Sequence, residues 1–273
     1  MLVFPNCKIN LGLHICSKRA DGFHNIETVF YPVAIKDALE ILPAHNNHPA
    51  ITFTSSGLTV DGKEEENICI KAYHLLKQNF PQLPAIKMHL HKAIPMGAGL
   101  GGGSADGAFT LTLLNRQFKL GLTAEQLVAY ALQLGSDCPF FIMNNACYAT
   151  GRGELMEAID INLSAYKIAI VNPGIHVNTG WAFSQLSPAP PVQSITKIIA
   201  QPVAEWKDAL QNDFEKPVFE KYPVIKTIKQ QLYDLGAEYA AMSGSGSTVY
   251  GLFKNEVSLN SFTDKNYFVK LTS

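Results

Sequence analysis

Residues 95–108 read PMGAGLGGGSADGA, and six of these fourteen positions are glycine. Because glycine loses more backbone freedom on folding than any other residue, such a cluster indicates a backbone that bends sharply or lies close to a bulky group. Before the cluster, Ile86, Met88 and Leu90 alternate with polar residues, which predicts a strand. After it, residues 104–118 predict a helix. Backbone N–H groups at a helix N-terminus attract anions, so this order of elements predicts a phosphate site.

Two other nucleotide-binding loops and a plain surface loop are the alternatives for these glycines. GAGLGG at 97–102 matches the dinucleotide pattern G-x-G-x-x-G, but that fold needs a second strand and an acidic residue about 20 positions further on. Here another helix follows, and Glu125 lies inside it. The Walker A pattern is excluded because no lysine follows these glycines. A surface loop without a ligand stays open, although Pro95, a strand and an apolar helix bracket the run.

A second glycine run, SGSGS at 243–247, is predicted to lie between a helix and a strand near the C-terminus. It is open to two interpretations, a tight turn or a second group of backbone N–H donors. Two such loops in one chain suit a polyphosphate that is held from two sides.

The composition argues against several classes of partner. The chain of 273 residues carries 22 Lys and Arg against 23 Asp and Glu, a net charge of -1, and no basic run suited to nucleic acid. No stretch has the length of an apolar membrane span, and the first residues lack the basic start and apolar run of a secretory leader. We therefore expect a cytoplasmic protein with neither nucleic-acid nor membrane partners. Five cysteines without C-x-x-C spacing are expected to be thiols, not a disulfide framework or a zinc site.

The N-terminal part of the chain is predicted to begin with two strands. Residues 2–15 alternate apolar and polar positions, which predicts a strand with one apolar face and with Lys8 among amides on its polar face. The Asp21-Gly22 pair predicts a turn, and residues 25–36 predict the second strand.

Two helices are predicted around the glycine stretch and beyond it. One begins near Asn67, and the other covers residues 123–135. Thr123 is the expected N-cap of the latter, with Gln126 three residues later as in a capping box and Gly135 as its end.

The C-terminal part mixes short elements. Residues 144–154 predict a hairpin and residues 165–171 a strand, so we place a domain boundary between 155 and 156. The proline-rich segment 186–194 is predicted to be a loop, and residues 219–236 to form one helix.

Several of these stretches together resemble a known family. PMGAGLGGGS at 95–104 resembles the phosphate loop of the GHMP kinases, and MSGSGS at 242–247 resembles their third motif. More narrowly, three further stretches resemble those members that phosphorylate 4-diphosphocytidyl-2-C-methyl-D-erythritol in non-mevalonate isoprenoid synthesis: PNCKINLGLHI at 5–15, ADGFHNIETVF at 20–30 and GSDCPFF at 135–141. The resemblance spans nearly the whole chain. It departs from the family at Ser104-Ala105, where two serines are common, and at Phe23, where tyrosine is common.

The resemblance implies a fold and a reaction. The expected fold is the two-domain α+β GHMP kinase fold, with a ribosomal-protein-S5-like domain at 1–155 and a ferredoxin-like domain at 156–273. The expected reaction transfers the γ-phosphoryl group of ATP to the C2 hydroxyl of the cytidylyl substrate. A kinase of the mevalonate or homoserine type and a catalytically silent nucleotide-binding regulator are the alternatives. A monomer and a homodimer both remain open.

The resemblance also implies roles for individual residues. Asp137 is expected to take or orient the proton of the attacking hydroxyl, and Lys8 to hold Asp137 ionised and to neutralise the transferred phosphoryl group. Asn10, on the same strand face as Lys8, is expected to bind a substrate hydroxyl. By sequence alone, Asp137 is equally a turn or cap residue, and Lys8 an ordinary solvated lysine.

The ligand contacts follow in the same way. Phe23 and Phe183 are expected on the two faces of the cytosine, with His24 at its edge and Thr179 nearby in the substrate site. ATP as its magnesium complex is the expected co-substrate, with no tightly bound cofactor; the protein ligand of the metal is unknown, with Ser104 possible. The residues expected to bind ATP are those of the two glycine loops: Pro95, Met96, Gly97, Ala98, Gly99, Leu100, Gly101, Gly102, Gly103, Ser104, Ser243, Gly244, Ser245 and Gly246.

Overall fold

The computed structural model describes residues 1–44, 49–60 and 62–272. The strands, in chain order, are β1 (Leu2–Val3), β2 (Asn6–Lys18), β3 (His24–Lys36), β4 (Ala38–Pro43), β5 (Ile51–Gly57), β6 (Ile86–Lys92), β7 (Cys147–Thr150), β8 (Leu155–Ala158), β9 (Lys167–Asn172), β10 (Tyr239–Met242), β11 (Val249–Phe253) and β12 (Phe268–Thr272). The α-helices are α1 (Ile68–Asn79), α2 (Gly102–Phe118), α3 (Ala124–Leu134), α4 (Cys138–Met143), α5 (Thr179–Ser184), α6 (Ile195–Ile199), α7 (Trp206–Ala209), α8 (Glu215–Lys221), α9 (Pro223–Asp234) and α10 (Asn260–Thr263). Short 3-10 helices cover Glu64–Glu66 and Val203–Glu205. The predicted α+β class is confirmed.

The chain divides into two compact units, each built from separate stretches of sequence. Unit 1 consists of Met1–Cys7, Ala34–Met96 and Gly101–Asn145, and unit 2 of Lys8–Val33, Gly97–Leu100 and Ala146–Ser273. The glycine stretch is therefore divided, with Gly97–Leu100 in unit 2 and the residues from Gly101 onward in unit 1. The domain boundary between 155 and 156 stays a prediction.

Unit 1 combines one sheet with four helices. The sheet has the strand order β1-β4-β6-β5, in which β5 and β6 are parallel and the other pairs are antiparallel. The predicted strand before the glycines is confirmed as β6, because Ile86, Met88 and Leu90 are buried as its alternation requires. Helix α2 packs against α1, α3 and α4. The capping box of α3 is confirmed, since Thr123 and Gln126 each bond the other's backbone N–H.

Unit 2 contains an antiparallel sheet with the order β10-β11-β9-β12 and its own apolar core. The core packs the inner faces of these strands on α8 and α9 through residues such as Val171, Val249, Ile228 and Leu232. A further sheet has the order β2-β3-β7-β8. The hairpin predicted at 144–154 exists as the antiparallel pair β7 and β8, but only β7 and the turn lie within those bounds, and its second strand follows at Leu155–Ala158.

Three sequence predictions about these elements are wrong. The single helix predicted over 219–236 is two helices, because Pro223 lacks an N–H and drives the preceding residue, Tyr222, out of helical geometry (φ -129°, ψ 75°). The second glycine run connects β10 to β11, so it lies between two strands and not between a helix and a strand. Finally, the alternative interpretation of Lys8 as an ordinary solvated lysine is wrong, since Lys8 and Asn10 are only 4% and 3% exposed.

Candidate active site

The first glycine loop owes its shape to three glycines in left-handed backbone. Gly97, Gly99 and Gly101 have φ angles of +61°, +78° and +68°, a region that other residues rarely adopt. Gly101 is the N-cap of α2, so the next two glycines form the start of the helix. A Cβ at Gly102 would lie 2.9 Å from the Ile94 side chain, whereas a Cβ at Gly103 would meet no atom within 4 Å. The backbone at Gly103 therefore faces open space at the helix N-terminus.

The second glycine loop contacts the first within unit 2. A Cβ at Gly99 would overlap the carbonyl group of Ser243, so only glycine allows this approach. The Ser243 hydroxyl donates to the Gly99 carbonyl at 2.7 Å, and the Thr248 N–H donates to the Ala98 carbonyl at 3.3 Å. The structure thus brings together the two glycine runs that the sequence places about 140 residues apart. Ser243 is fully buried, and its hydroxyl is used in the hydrogen bond to Gly99.

Lys8 lies on β2 beside the first loop. Its backbone N–H donates to the Leu100 carbonyl at 2.9 Å, and its Nζ donates to Oδ1 of Asn10 at 2.6 Å. Nζ also lies 4.8 Å from the centroid of the Phe30 ring. An amide oxygen and an aromatic face are both favourable partners for a cation that has lost most of its water.

Asn10 is held by contacts on all of its polar groups. Its Nδ2 donates to the Thr28 hydroxyl at 3.0 Å, its backbone N–H to the Ser243 hydroxyl at 3.2 Å, and its carbonyl accepts from the Tyr250 hydroxyl at 2.8 Å. With its Oδ1 bonded to Lys8, this side chain positions the lysine. Its expected contact with a substrate hydroxyl stays a prediction.

Asp137 lies in unit 1 as the residue before α4, in right-handed helical backbone (φ -85°, ψ -15°). Its side chain makes no capping hydrogen bond, so helix capping does not explain an aspartate at this position. The next residue, Cys138, is a buried thiol whose pKa is raised to about 12 by burial and which hydrogen-bonds to Ser104. Ser104 of the glycine loop therefore lies beside the residue that follows Asp137.

The aromatic residues predicted for the cytosine lie in unit 2 in an unexpected arrangement. The His24 ring stacks on the Phe183 ring, with centroids 4.6 Å apart and planes 12° apart. Burial and then the Lys18 charge lower the pKa of His24, which favours the neutral form of the stacked imidazole. Phe23 is 53% exposed, and the Arg152 guanidinium lies 5.0 Å from its ring centroid.

Helix α5 carries two of the predicted substrate residues. Asn178 caps it by accepting from the Trp181 N–H at 2.8 Å, which fixes the start of this short helix. The Thr179 hydroxyl lies 2.9 Å from the Ser245 hydroxyl, so a predicted substrate residue directly meets the second glycine loop. Phe183, at the C-terminal end of α5, packs edge to face on Phe214, with ring centroids 4.9 Å apart.

Sequence reasoning missed a buried ionic cluster in unit 1. Lys92 Nζ bonds Asp37 at 2.5 Å and Asp106 at 2.7 Å, and all three side chains are almost fully buried. Among residues 1–44, 49–60 and 62–272, Oδ1 of Asp106 finds no hydrogen-bond partner. Burial raises the pKa of this carboxyl to about 7, although Lys92 opposes the rise. The sequence signals the burial of Lys92 but not its partners, because Lys92 shares the parity of the buried residues Ile86, Met88 and Leu90 on β6.

A cavity of about 570 Å³ opens beside this cluster and the glycine loop. Its walls combine apolar side chains with polar ones, namely Phe53, Val60, Ile68, Leu90, Met96, Asn67, Lys92, Gly103, Ser104 and Asp106 among others. All of them belong to unit 1. The sequence does not reveal this cavity, because its walls come from five separate segments.

No helix within the described residues 1–44, 49–60 and 62–272 has the length and apolar character needed to cross a membrane. No group of three or more His, Cys, Asp or Glu side chains in them has the geometry to hold a metal ion.

Comparison with known proteins gives matches in both halves of the chain. The family description "GHMP kinases N terminal domain" matches residues 67–145, and "GHMP kinases C terminal" matches residues 194–267. A Bacteroides fragilis protein called 4-diphosphocytidyl-2-C-methyl-D-erythritol kinase is 52% identical over 256 residues, which are 94% of this chain and 93% of that protein. A Cytophaga hutchinsonii protein of the same name is 51% identical over 257 residues, 94% of this chain and 93% of the relative.

Solved structures agree with these matches. A crystal structure of 4-(cytidine 5'-diphospho)-2C-methyl-D-erythritol kinase has a TM-score of 0.76 at 29% identity and covers 92% of this chain and 90% of its own. Mevalonate kinase from Methanococcus jannaschii has a TM-score of 0.73 at 13% identity, covering 99% of this chain and 97% of its own, which shows a shared fold alone. With about half of its residues identical to the named relatives over nearly its full length, the chain belongs to the 4-diphosphocytidyl-2-C-methyl-D-erythritol kinase family of the GHMP kinases.

Proposed function

We propose that this chain transfers the γ-phosphoryl group of ATP to the C2 hydroxyl of 4-diphosphocytidyl-2-C-methyl-D-erythritol, giving the 2-phosphate and ADP. The kinase class and the acceptor follow from the family. The observation that carries the proposal on this chain is the direct contact between the two glycine loops beside the buried Lys8.

The glycine loops supply the binding of the polyphosphate. At the start of α2, Gly103 leaves open space, so the backbone N–H groups of this turn and the positive end of the helix dipole are accessible to phosphate oxygens. Phosphoryl transfer needs little covalent help from a protein and depends on positioning and charge stabilisation. A loop that presents backbone donors without side chains meets that need.

Lys8 and Asp137 have separate roles in the proposal. Lys8 is a cation fixed by Asn10 and Phe30, and it stabilises the charge on the phosphoryl group during transfer. Asp137 takes or orients the proton of the attacking hydroxyl, which general-base catalysis requires.

The nucleoside of ATP is proposed to occupy the cavity in unit 1. Its volume of about 570 Å³ lies in the range of small-molecule sites, and it reaches Gly103 and Ser104 of the glycine loop. Phe53, Ile68 and Leu90 provide apolar walls for a purine.

The cytosine is proposed to stack on Phe183 in place of His24. The His24 imidazole, whose centroid lies 4.6 Å from that of Phe183, occupies the place that the cytosine takes in this proposal. When the cytosine displaces it, the imidazole moves to the edge of the base, where its nitrogens face the polar groups of the base. Phe23 supplies the second face, with Arg152 on its other side. Thr179 contacts the same ligand from α5.

Magnesium is proposed to arrive with ATP as its complex. Mg²⁺ keeps several waters and takes one or two protein ligands besides substrate phosphates, so a lone hydroxyl beside the phosphate loop suits it. Ser104 is the candidate ligand, and bound Mg²⁺ would neutralise charge on the phosphates.

We also retain the division into domains at 1–155 and 156–273 as a proposal, since the two family matches fall on either side of it.

The test is a turnover assay with MgATP and three acceptors: the cytidylyl substrate, mevalonate and homoserine. The proposal predicts ADP formation and a new phosphate monoester with the cytidylyl substrate alone. Turnover of another acceptor at a comparable kcat/KM would reassign the substrate. Nucleotide binding without turnover of any acceptor would indicate a silent nucleotide-binding protein.

A further inference from the structure

Asn212 is a buried polar residue that no sequence motif singled out. It lies between α7 and α8 in unit 2 and is 4% exposed. Its Nδ2 donates two hydrogen bonds to backbone carbonyls. One goes to Met242, directly before the second glycine loop, at 2.8 Å, and the other to Gly244 of that loop at 2.9 Å. Its Oδ1 accepts from the Phe214 N–H at 3.0 Å. Both hydrogens of the amide therefore bond to backbone at the second loop.

These bonds orient the peptide groups of the loop. In a trans peptide the carbonyl and the following N–H point in opposite directions. Since the Gly244 carbonyl points at Asn212, the N–H of Ser245 points away from it. Two other N–H groups of the loop bond within it: the Ser243 N–H donates to the Thr248 carbonyl and the Gly246 N–H to the Ser243 carbonyl. Ser245 is thus the loop donor whose direction Asn212 sets.

Asn212 itself is anchored to β2. The N–H of Leu13 donates to the Gln211 carbonyl at 2.9 Å, and the N–H of Asp213 donates to the Leu13 carbonyl at 2.9 Å. The Asp213 carboxylate accepts from the Ile15 N–H at 2.7 Å. Strand β2 carries Lys8, so the same anchor links the lysine strand to the second glycine loop.

We propose that Asn212 is a positioning residue for ATP binding, which holds the second glycine loop so that the Ser245 N–H faces a phosphate oxygen. This inference rests on the proposed function, in which that loop binds ATP. The asparagine acts through backbone it touches and makes no contact with substrate.

The deciding variant is Asn212→Asp, which keeps size and shape but replaces the two-hydrogen donor by an acceptor when ionised. We expect the Kd for ATP, measured by calorimetry on the full chain, to rise about 10-fold at pH 8, with the Kd for the cytidylyl substrate within about twofold of wild type. Burial beside two carbonyls raises the pKa of the introduced carboxyl. Lowering the pH to 6 protonates this carboxyl and restores one donated hydrogen bond. The Kd of the variant for ATP should then lie closer to that of wild type.

Two further variants separate positioning from stability. Asn212→Ala serves if the aspartate variant does not fold, and it should weaken ATP binding without the recovery at low pH. Ile228→Ala, a core change on α9, is the control that lowers stability while leaving both Kd values unchanged. Wild-type ATP affinity in folded Asn212 variants would overturn this inference alone. A wild-type chain that binds no ATP would overturn the proposed function and this inference together.

Discussion

Lys8 shows how contacts with neighbouring residues hold a single buried side chain of this protein in place. The amide oxygen of Asn10 and the face of Phe30 replace water around its ammonium group. Asn10 is in turn fixed by Thr28 and by the hydroxyl of Tyr250. A lysine held in this way loses little further entropy when a phosphoryl group approaches, which suits a role in charge stabilisation.

Replacing Asp137 by asparagine tests the proposed acid–base residue. Asparagine keeps the shape but cannot accept a proton, so kcat should fall by about 10²–10⁴-fold. The Kd for ATP should stay within about twofold. Steady-state kinetics and calorimetry measure the two quantities, with Asp264→Asn at an exposed site as the control. A kcat close to wild type would remove Asp137 from the mechanism.

Replacing Phe183 by alanine tests the cytosine site. Stacking on one aromatic ring is worth roughly 1–3 kcal/mol by alanine substitution, so KM for the cytidylyl substrate should rise about 5- to 150-fold. KM for ATP should change by no more than a few fold. If the KM for ATP rises instead while that for the cytidylyl substrate holds, Phe183 belongs to the adenine site.

At the scale of an element, the start of α2 combines tight packing with an open face. A Cβ at Gly102 would lie 2.9 Å from the Ile94 side chain, whereas a Cβ at Gly103 would meet no described atom within 4 Å outside its own helical turn. Packing within the protein therefore does not require glycine at position 103. A ligand that approaches the helix N-terminus gives a physical reason for the missing side chain.

The variant Gly103→Ala separates that reason from folding. Alanine has the higher helix propensity and meets no clash, so the free energy of unfolding should be unchanged or raised by up to about 1 kcal/mol. The Kd for ATP should nevertheless rise at least about 10-fold, because the methyl group enters the proposed phosphate space. Denaturant unfolding and calorimetry give both numbers. Unaltered ATP affinity would place the phosphates elsewhere.

The contact between β6 and α2 is pH-sensitive through Asp106. Burial raises the pKa of this carboxyl from its ordinary value near 4 to about 7, so between these pH values the folded chain binds a proton that the unfolded chain has released. The stability that wild type has relative to Asp106→Asn should therefore fall as pH rises from 4 to 7, by at most about 1.4 kcal/mol per pH unit. Urea unfolding of both proteins across this range measures the slope. A pH-independent difference would contradict the assignment.

At the scale of the whole molecule, the glycine stretch contributes to both compact units. Gly97–Leu100 contacts the second glycine loop in unit 2, and the residues from Gly101 onward begin α2 in unit 1. Each unit is assembled from segments far apart in the chain.

Ligand binding should stabilise the folded chain by mass action. MgATP at 100 times its Kd should add about 2.7 kcal/mol to the free energy of unfolding, which corresponds to a rise in Tm of roughly 5–10 °C for a chain of this size. The cytidylyl substrate should act in the same way, and mevalonate should have no effect. Thermal unfolding followed by circular dichroism measures these shifts, and a shift with mevalonate alone would point to the alternative kinase class.

The sequence by itself determined the elements whose signals are local. Alternation identified β6, the capping box identified α3, and the motifs around Lys8, Asp137 and the glycines identified the family. These predictions succeed because periodicity, capping and turn chemistry depend on residues a few positions apart. The break before α9 was equally local, since Pro223 excludes a continuous helix.

The tertiary structure alone decided which of these groups meet. It placed Ser243 on Gly99, stacked His24 on Phe183 and paired Lys92 with two carboxylates. The residues next to each partner in the sequence do not indicate any of these contacts, because each contact joins two segments that only the folded chain brings together. Burial then changes the chemistry, since a carboxyl such as Asp106 acquires its raised pKa only after folding removes its water.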